Sequence, residues 1–174
     1  MKKNDALDAQ CAEGLHYFEQ ANPRCEEDIE TYNDNGYYWW NAVWDEDLMS
    51  KALAALTAVA EKGYAPAQCA LAECYWKLSK VLSEMMDHLM FFYDHSYSQS
   101  ELIEDNEELE DIEKYWDKGF EWYEKAAEQG YPKALNYLTQ AAKERFYKPA
   151  KTELQNYLDE LQYEAEEGKY HGEI

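Results

Sequence analysis

The sequence is short of three things: residues that break helices, basic side chains and long apolar runs. Its 174 residues include only seven glycines and four prolines, which favours a mostly helical chain. No apolar run reaches the length of about 18 residues that a membrane-spanning helix needs. Lysine and arginine number 16 against 37 acidic residues, for a formal net charge of −21. Binding to nucleic acid or to an anionic membrane is therefore disfavoured, because both require clustered basic residues.

Catalytic motifs are also missing. The sequence has no nucleophile elbow, phosphate-binding loop, His-Glu-x-x-His motif or dinucleotide glycine pattern. His88 and His95 are the closest approach to a metal pair, but they lie two helical turns apart and no third ligand is evident. We therefore expect a protein that is not an enzyme, with no catalytic residue, no metal and no cofactor.

The four cysteines indicate a reducing compartment. Cys11, Cys25, Cys69 and Cys74 form no Cys-x-x-Cys pair and have no histidine at zinc-finger spacing. Reduced thiols that pack as small apolar side chains are the simplest account. The two lysines near the N-terminus are followed by no apolar stretch, so this is not a secretory signal. We expect a cytoplasmic protein.

One short phrase occurs three times along the chain. It ends in Gly63-Tyr64, in Gly130-Tyr131 and in Gly168-Lys169-Tyr170, each time after an Ala-Glu pair and one further residue. The gap between the second and third glycines is close to one helix-pair repeat of about 34–40 residues, and the first gap is wider by about 30 residues. Repeated units of this size predict a helical solenoid, a fold that presents surfaces to partners.

An apolar stripe precedes each of the three glycines. Counting back by 3, 7, 10 and 14 residues reaches an apolar side chain every time, which is the spacing of one helix face. The glycine then stands where the chain leaves the helix in a left-handed conformation, and Pro66 and Pro132 are placed to open the next helix. The stripe positions are Met49, Leu53, Leu56 and Ala60, then Trp116, Phe120, Tyr123 and Ala127, then Leu154, Leu158, Leu161 and Ala165.

These residues carry a family resemblance. The run from Trp122 to Tyr131, followed by Ala134, resembles the signature of the Sel-1-like repeats, which are relatives of the tetratricopeptide repeats. The resemblance is strongest around 118–142 and extends to 51–76, although Ala72 stands where the family favours glycine. It implies an all-α fold, a short right-handed α-α solenoid of about three helix pairs. It also implies contacts with other proteins, without identifying the partner.

The same marks divide the chain. We expect one repeat domain over 1–174, with helix pairs at about 5–62, 66–129 and 132–167 and inserts at about 22–44 and 93–106. Asp5 and Asp45 are the expected N-caps, Asn22-Pro23 ends the first helix, and a short helix is expected at 26–32. Gly63, Gly130 and Gly168 are the expected structural residues at the helix ends.

A run of carboxylates begins in the second insert and continues beyond it. It contains Glu101, Glu104, Asp105, Glu107, Glu108, Glu110, Asp111 and Glu113, with no basic residue among them. Like charges three and four residues apart oppose each other on a helix, so the run weakens its own segment. It is either a solvated face or the first turn of a helix, or else a surface for a basic partner.

The first insert is crowded with aromatic residues. The candidate partner-binding residues there are Tyr37, Tyr38, Trp39, Trp40 and Trp44, which follow an Asn-Asp-Asn-Gly turn and are expected on a loop or a short extended piece. Most of these rings should pack over neighbouring helices. One or two of them are candidates for binding anchors, because exposed tyrosine and tryptophan are enriched at binding hot spots.

Two functions fit this combination. The first is an acidic immunity protein that binds and neutralises a basic toxin or effector domain. The second is a cytoplasmic adaptor or scaffold that uses the concave face of the solenoid. Two tailored inserts on a short array favour one dedicated partner, and hence the immunity protein. Either way, the expected partner is a protein, and a basic one in the first case.

Overall fold

The computed structural model describes residues 3–32, 38–93 and 107–143, and the side chains of 5–27, 40–88 and 111–140. About 80% of the described residues are helical, so the mostly helical expectation is confirmed. The elements in chain order are α1 (Lys3–Ala21), β1 (Arg24–Tyr32), β2 (Tyr38–Val43), α2 (Glu46–Ala60), α3 (Ala65–Tyr93), α4 (Glu107–Ala127) and α5 (Pro132–Lys143). The part of the third expected helix pair beyond residue 143 lies outside the described residues.

The first insert folds as a β-hairpin, so the expected short helix at 26–32 is wrong. Strands β1 and β2 pair antiparallel, with Arg24 opposite Val43 and Asp28 opposite Trp39. In a helix, the carboxylates of Glu26, Glu27 and Glu30 would stand three and four residues apart and repel one another. Strand β2, rich in aromatic residues, offers the same segment a partner to pair with.

Two layers of buried side chains lie on opposite sides of α3. One joins α3 to α1 and α2 through Leu71, Leu78 and Leu56, which are fully buried. The other joins α3 to α4 and α5 through Tyr123 and Leu138, each 1% exposed. The first two predicted stripes thus face the core: Met49, Leu56, Ala60, Tyr123 and Ala127 are buried, and the remaining members are partly buried. The third stripe lies outside the described residues.

The turn glycines adopt the predicted backbone. Gly63 has φ 79° and Gly130 has φ 72°, and each donates its backbone N–H to the carbonyl three residues back, at 2.9 Å and 2.8 Å. The positive φ angles and these hydrogen bonds agree with the prediction that Gly63 and Gly130 end helices. Gly168 lies outside the described residues. At the other caps, Asp45 accepts a hydrogen bond from the Leu48 N–H at 2.9 Å, as predicted. Asp5 instead lies in the first turn of α1.

A buried glutamine ties the two glycine turns together. Gln68, 5% exposed on α3, donates to the Ala60 carbonyl at the end of α2. Its side-chain carbonyl accepts a hydrogen bond of 2.6 Å from the Gln129 amide in the second turn. Both turns therefore lie at the N-terminal end of α3, which leaves the C-terminal half of that helix for the hairpin.

Candidate protein-binding surface

The hairpin lies on the C-terminal half of α3. Leu82, Met85 and Met86 are buried there, and the side chains of Cys25, Trp40 and Ala42 pack against them. The strand register explains why these side chains pack on α3 together, because Cys25 pairs with Ala42 and both therefore occupy one face of the sheet. The indole of Trp40 also stacks on the imidazole of His88, with ring centroids 3.8 Å apart and planes 9° from parallel.

The two candidate anchors with described side chains are therefore engaged inside the molecule. Trp40 is half-buried in the contact with α3. Trp44 is half-buried just after β2 and packs against the hairpin contact and against the core of α1, α2 and α3. Tyr38 and Trp39 belong to β2 by their backbones, opposite Tyr32 and Asp28. Tyr37 lies outside the described residues.

The acidic run continues into α4. Glu107, Glu108 and Glu110 belong to that helix by their backbones. The Asp111 carboxylate accepts a hydrogen bond of 2.8 Å from the ammonium group of Lys114, about one turn further on. The remaining candidates, Glu101, Glu104 and Asp105, lie outside the described residues. The described part of the run is therefore helical, and the solvated face, the helix turn and the partner surface all stay predictions.

The N-terminal part of α4 reaches the hairpin. Ile112 and Tyr115 pack against the same buried residues of α3 as Trp40 and Trp44 do. Ser79 on α3 fixes the relative position of the two helices, since its hydroxyl donates to the Ile112 carbonyl at 3.3 Å. The structure therefore joins the aromatic insert and the helical part of the acidic run, which the sequence keeps far apart, around one apolar cluster.

We call this region the hairpin end: β1, β2, residues 81–93 of α3 and residues 107–115 of α4. Its basic residues are Arg24 and Lys114, and each lies within 2.8 Å of a carboxylate, from Glu26 and Asp111 respectively. Both are exposed pairs of the kind that contribute little to stability. Its acidic residues are Glu26, Glu27, Asp28, Glu30, Glu84, Asp87, Glu107, Glu108, Glu110, Asp111 and Glu113. The hairpin end is therefore strongly negative.

The cysteines behave as packing residues where they are described. All four are free thiols, and Cys11, Cys69 and Cys74 are buried. Burial, reinforced by the charge of Glu73, raises the pKa of the Cys69 thiol to about 12. Burial, with a smaller contribution from Glu84, also raises the pKa of the Cys25 thiol at the hairpin. Neutral thiols of this kind are poor nucleophiles and poor metal ligands.

A cluster of aromatic rings lies between α3, α4 and α5 and includes Trp116 and Tyr123 of the second predicted stripe. Trp76 meets Trp116 and Tyr123 edge-on, with centroid distances of 5.0 Å and 5.4 Å. The indole N–H of Trp76 and the hydroxyl of Tyr123 are both buried without a hydrogen-bond partner. The cluster contributes apolar contact to the fold, at the cost of two unpaired donors.

The described part of the chain contains no group of three or more histidine, cysteine or acidic residues that could hold a metal ion. His88 is occupied by its stack on Trp40, and His95 lies outside the described residues. Among the helices that the structure describes, none is long and apolar enough to cross a membrane.

Comparisons of the chain with protein-family models, with curated proteins and with solved structures gave no match.

Proposed function

We propose that this protein is a non-catalytic protein-binding module, an acidic immunity protein that binds and neutralises a basic toxin or effector domain. One observation carries the proposal: the aromatic hairpin and the acidic start of α4 meet around a single apolar cluster on α3. A surface that combines a strong charge with a rigid, aromatic-rich platform offers both features of a specific protein interface, long-range attraction and short-range anchoring.

The fold proposed for this module is a short right-handed solenoid of Sel-1-like helix pairs. Two features support it: the matching glycine turns after α2 and α4, and the Gln68 bridge that holds those turns side by side. In such an array, the hairpin replaces a plain connection within the first helix pair. An insert of this kind moves the binding surface from the concave face to one end of the array.

The sign of the charge selects the partner. Phosphate backbones and anionic lipids are repelled by the hairpin end, whereas a basic protein surface is attracted over a distance of about one Debye length, roughly 8 Å at physiological salt. A basic toxin domain that itself binds nucleic acid or anionic surfaces has the matching charge. Occupying its basic site would block it without any chemistry.

A pull-down at two salt concentrations tests the proposal. The protein is immobilised and exposed to lysate of its source cell at about 50 mM and about 500 mM salt, and the captured proteins are identified by mass spectrometry. We expect a basic protein that is retained at low salt and weakened at high salt. A gene for that protein directly upstream would agree with an immunity role.

A charge variant provides the matched control. Replacing Glu107, Glu108 and Glu110 by glutamine at the hairpin end should reduce capture, whereas the same change at Glu61, Glu121 and Glu128, far from the hairpin, should not. Capture of an acidic partner would contradict the proposal. Salt-indifferent capture that neither variant alters would favour an adaptor that binds through the concave face.

A further inference from the structure

Strand β1 is longer than the strand it pairs with. It covers nine residues against six in β2, and the register shifts between Asp28 and Tyr32. On β1, the three residues Ile29, Glu30 and Thr31 fall between two pairings that are consecutive on β2. Part of β1 is therefore extended backbone with no partner residue across the hairpin.

Within the residues that the structure describes, the sheet has two strands, so each strand keeps one outer edge. Unpaired strand edges are templates for the addition of another strand. Proteins protect such edges with charged side chains, proline or bulges; β1 has no proline, and its protection is charge of mostly one sign together with the irregular register.

Charge decides which strand can be added. After Arg24, the only charged residues of β1 are Glu26, Glu27, Asp28 and Glu30. A second copy of this chain would bring carboxylates opposite carboxylates, an arrangement that destabilises cross-strand pairs. A strand with lysine or arginine at these positions would instead form opposite-charge pairs. The edge thus disfavours self-association and selects a basic strand.

We infer that β1 accepts an extended basic segment of the partner as a third strand of the sheet. This inference rests on the proposed function and adds the mode of recognition. Backbone hydrogen bonds along β1 supply affinity that does not depend on sequence, and the four carboxylates supply the preference for basic residues. The contact of Trp40 with α3 holds the sheet in place while the strand adds.

Three capped octapeptides test the inference: one alternating lysine with threonine, one alternating lysine with proline, and one alternating glutamate with threonine. The first two carry the same charge, but proline has no backbone N–H and cannot complete a strand ladder. Affinity is measured by calorimetry at about 50 mM salt, and amide hydrogen exchange of the full-length protein is followed by NMR.

We expect the lysine–threonine peptide to bind most tightly and to slow exchange of β1 amides at least tenfold at saturation. The lysine–proline peptide should bind more weakly without that protection, and the glutamate–threonine peptide should not bind. Replacing Glu27 by glutamine and Asp28 by asparagine should reduce affinity for the first peptide by about 2- to 30-fold. The same neutralisation at Glu61 and Glu128 should leave the affinity unchanged.

Two results would overturn strand addition. Equal affinity of both lysine peptides, without protection of β1, would mean attraction by charge alone; the proposal of a basic partner would stand. If neither lysine peptide bound, strand addition at β1 would be ruled out. The pull-down would still test the proposed function separately. Circular dichroism of each variant confirms that the fold is retained.

Discussion

At the scale of single residues, Gly63 isolates the cost of a left-handed backbone. Its φ is 79°, and a Cβ built on it has no other atom within 4 Å, so a substitution adds strain without a clash. We expect Gly63→Ala to lower the free energy of unfolding by about 1–2 kcal/mol. Chemical denaturation measures the change. Gly63→Asn should lose less, because asparagine tolerates this conformation; equal stability of all three proteins would contradict the assignment.

Tyr64, the next residue, gives a pH prediction. Its hydroxyl donates to the Asp8 carboxylate, and this hydrogen bond, with some burial, raises the pKa of Tyr64 from 10.0 to about 12. Because the folded protein holds this proton more tightly than the unfolded chain, the contribution to stability is complete below pH 10. It is lost as the pH rises from about 10 to about 12.

NMR titration of the Tyr64 ring carbon Cζ measures that pKa. Asp8→Ala removes the acceptor and should bring the pKa back towards 10, whereas Asp8→Asn keeps an acceptor without the charge and should give an intermediate pKa. A pKa of Tyr64 near 10 in the unmodified protein would contradict the hydrogen bond.

The sequence predicts a residue's conformation best where that conformation depends on neighbours in the chain. Gly63, Gly130 and Asp45 act through the local backbone of a turn or a helix start, and their predicted conformations agree with the structure. Trp40 and Trp44 depend on distant partners. The sequence gives their number and density but not the position of α3, so it left core packing and binding as alternatives.

At the scale of elements, the hairpin is what the helical pattern did not predict. Its strands are short and their pairing joins segments on either side of a turn, whereas a helix is visible as a period within one segment. The long helices α3 and α4 were predicted to within a few residues, because Pro66 marks the start of α3 and an apolar stripe followed by Gly130 marks the end of α4. The acidic β1 gave no comparable period.

Docking of the hairpin should depend on Trp40. Its indole is half-buried against α3 and stacked on His88, so Trp40→Ala should lower the free energy of unfolding by about 2 kcal/mol, less than a fully buried tryptophan. Hydrogen exchange should become faster in β1 and β2 before it does so in α1 or α5. Trp40→Phe, which keeps a ring in the stack, should retain most of the protection.

The comparison variant is Trp122→Ala. Trp122 is also half-buried, but it lies beneath Lys125 on α4, away from the hairpin. Trp122→Ala should lower the free energy of unfolding without a selective acceleration of hydrogen exchange in β1 and β2. If Trp40→Ala left exchange and stability unchanged but weakened partner binding, Trp40 would be an anchor instead of a docking residue.

At the scale of the whole molecule, the sequence predicted an acidic run and an aromatic insert, but it did not predict that the two lie side by side. Net charge and the run from Glu101 can be read from composition and order alone. Their proximity to the aromatic insert depends on α3, which runs from the glycine turns to the hairpin over a length of about 40 Å. The packing of Ile112 and Tyr115 beside Trp40 brings the two together.

The acidic run that starts at Glu101 and the aromatic residues of the hairpin should act on different steps of binding. Neutralising Glu104, Asp105, Glu107 and Glu108 together should slow association with the captured basic partner and flatten its salt dependence, because steering is long-ranged and screened. Dissociation should change little. Neutralising four carboxylates elsewhere (Glu13, Glu61, Glu121 and Glu128) is the matched control for net charge.

An aromatic anchor acts at short range, so its loss should appear in the dissociation rate. Trp40 and Trp44 are already engaged by the fold, which leaves Trp39, the second residue of β2, as the first tryptophan to test. Trp39→Ala should weaken binding by about 2 kcal/mol, nearly all of it as faster dissociation, with the association rate and its salt dependence retained. Surface plasmon resonance at three salt concentrations separates the two rates. If the charge variant altered dissociation and Trp39→Ala altered association, the division of labour between carboxylates and aromatic residues would be wrong.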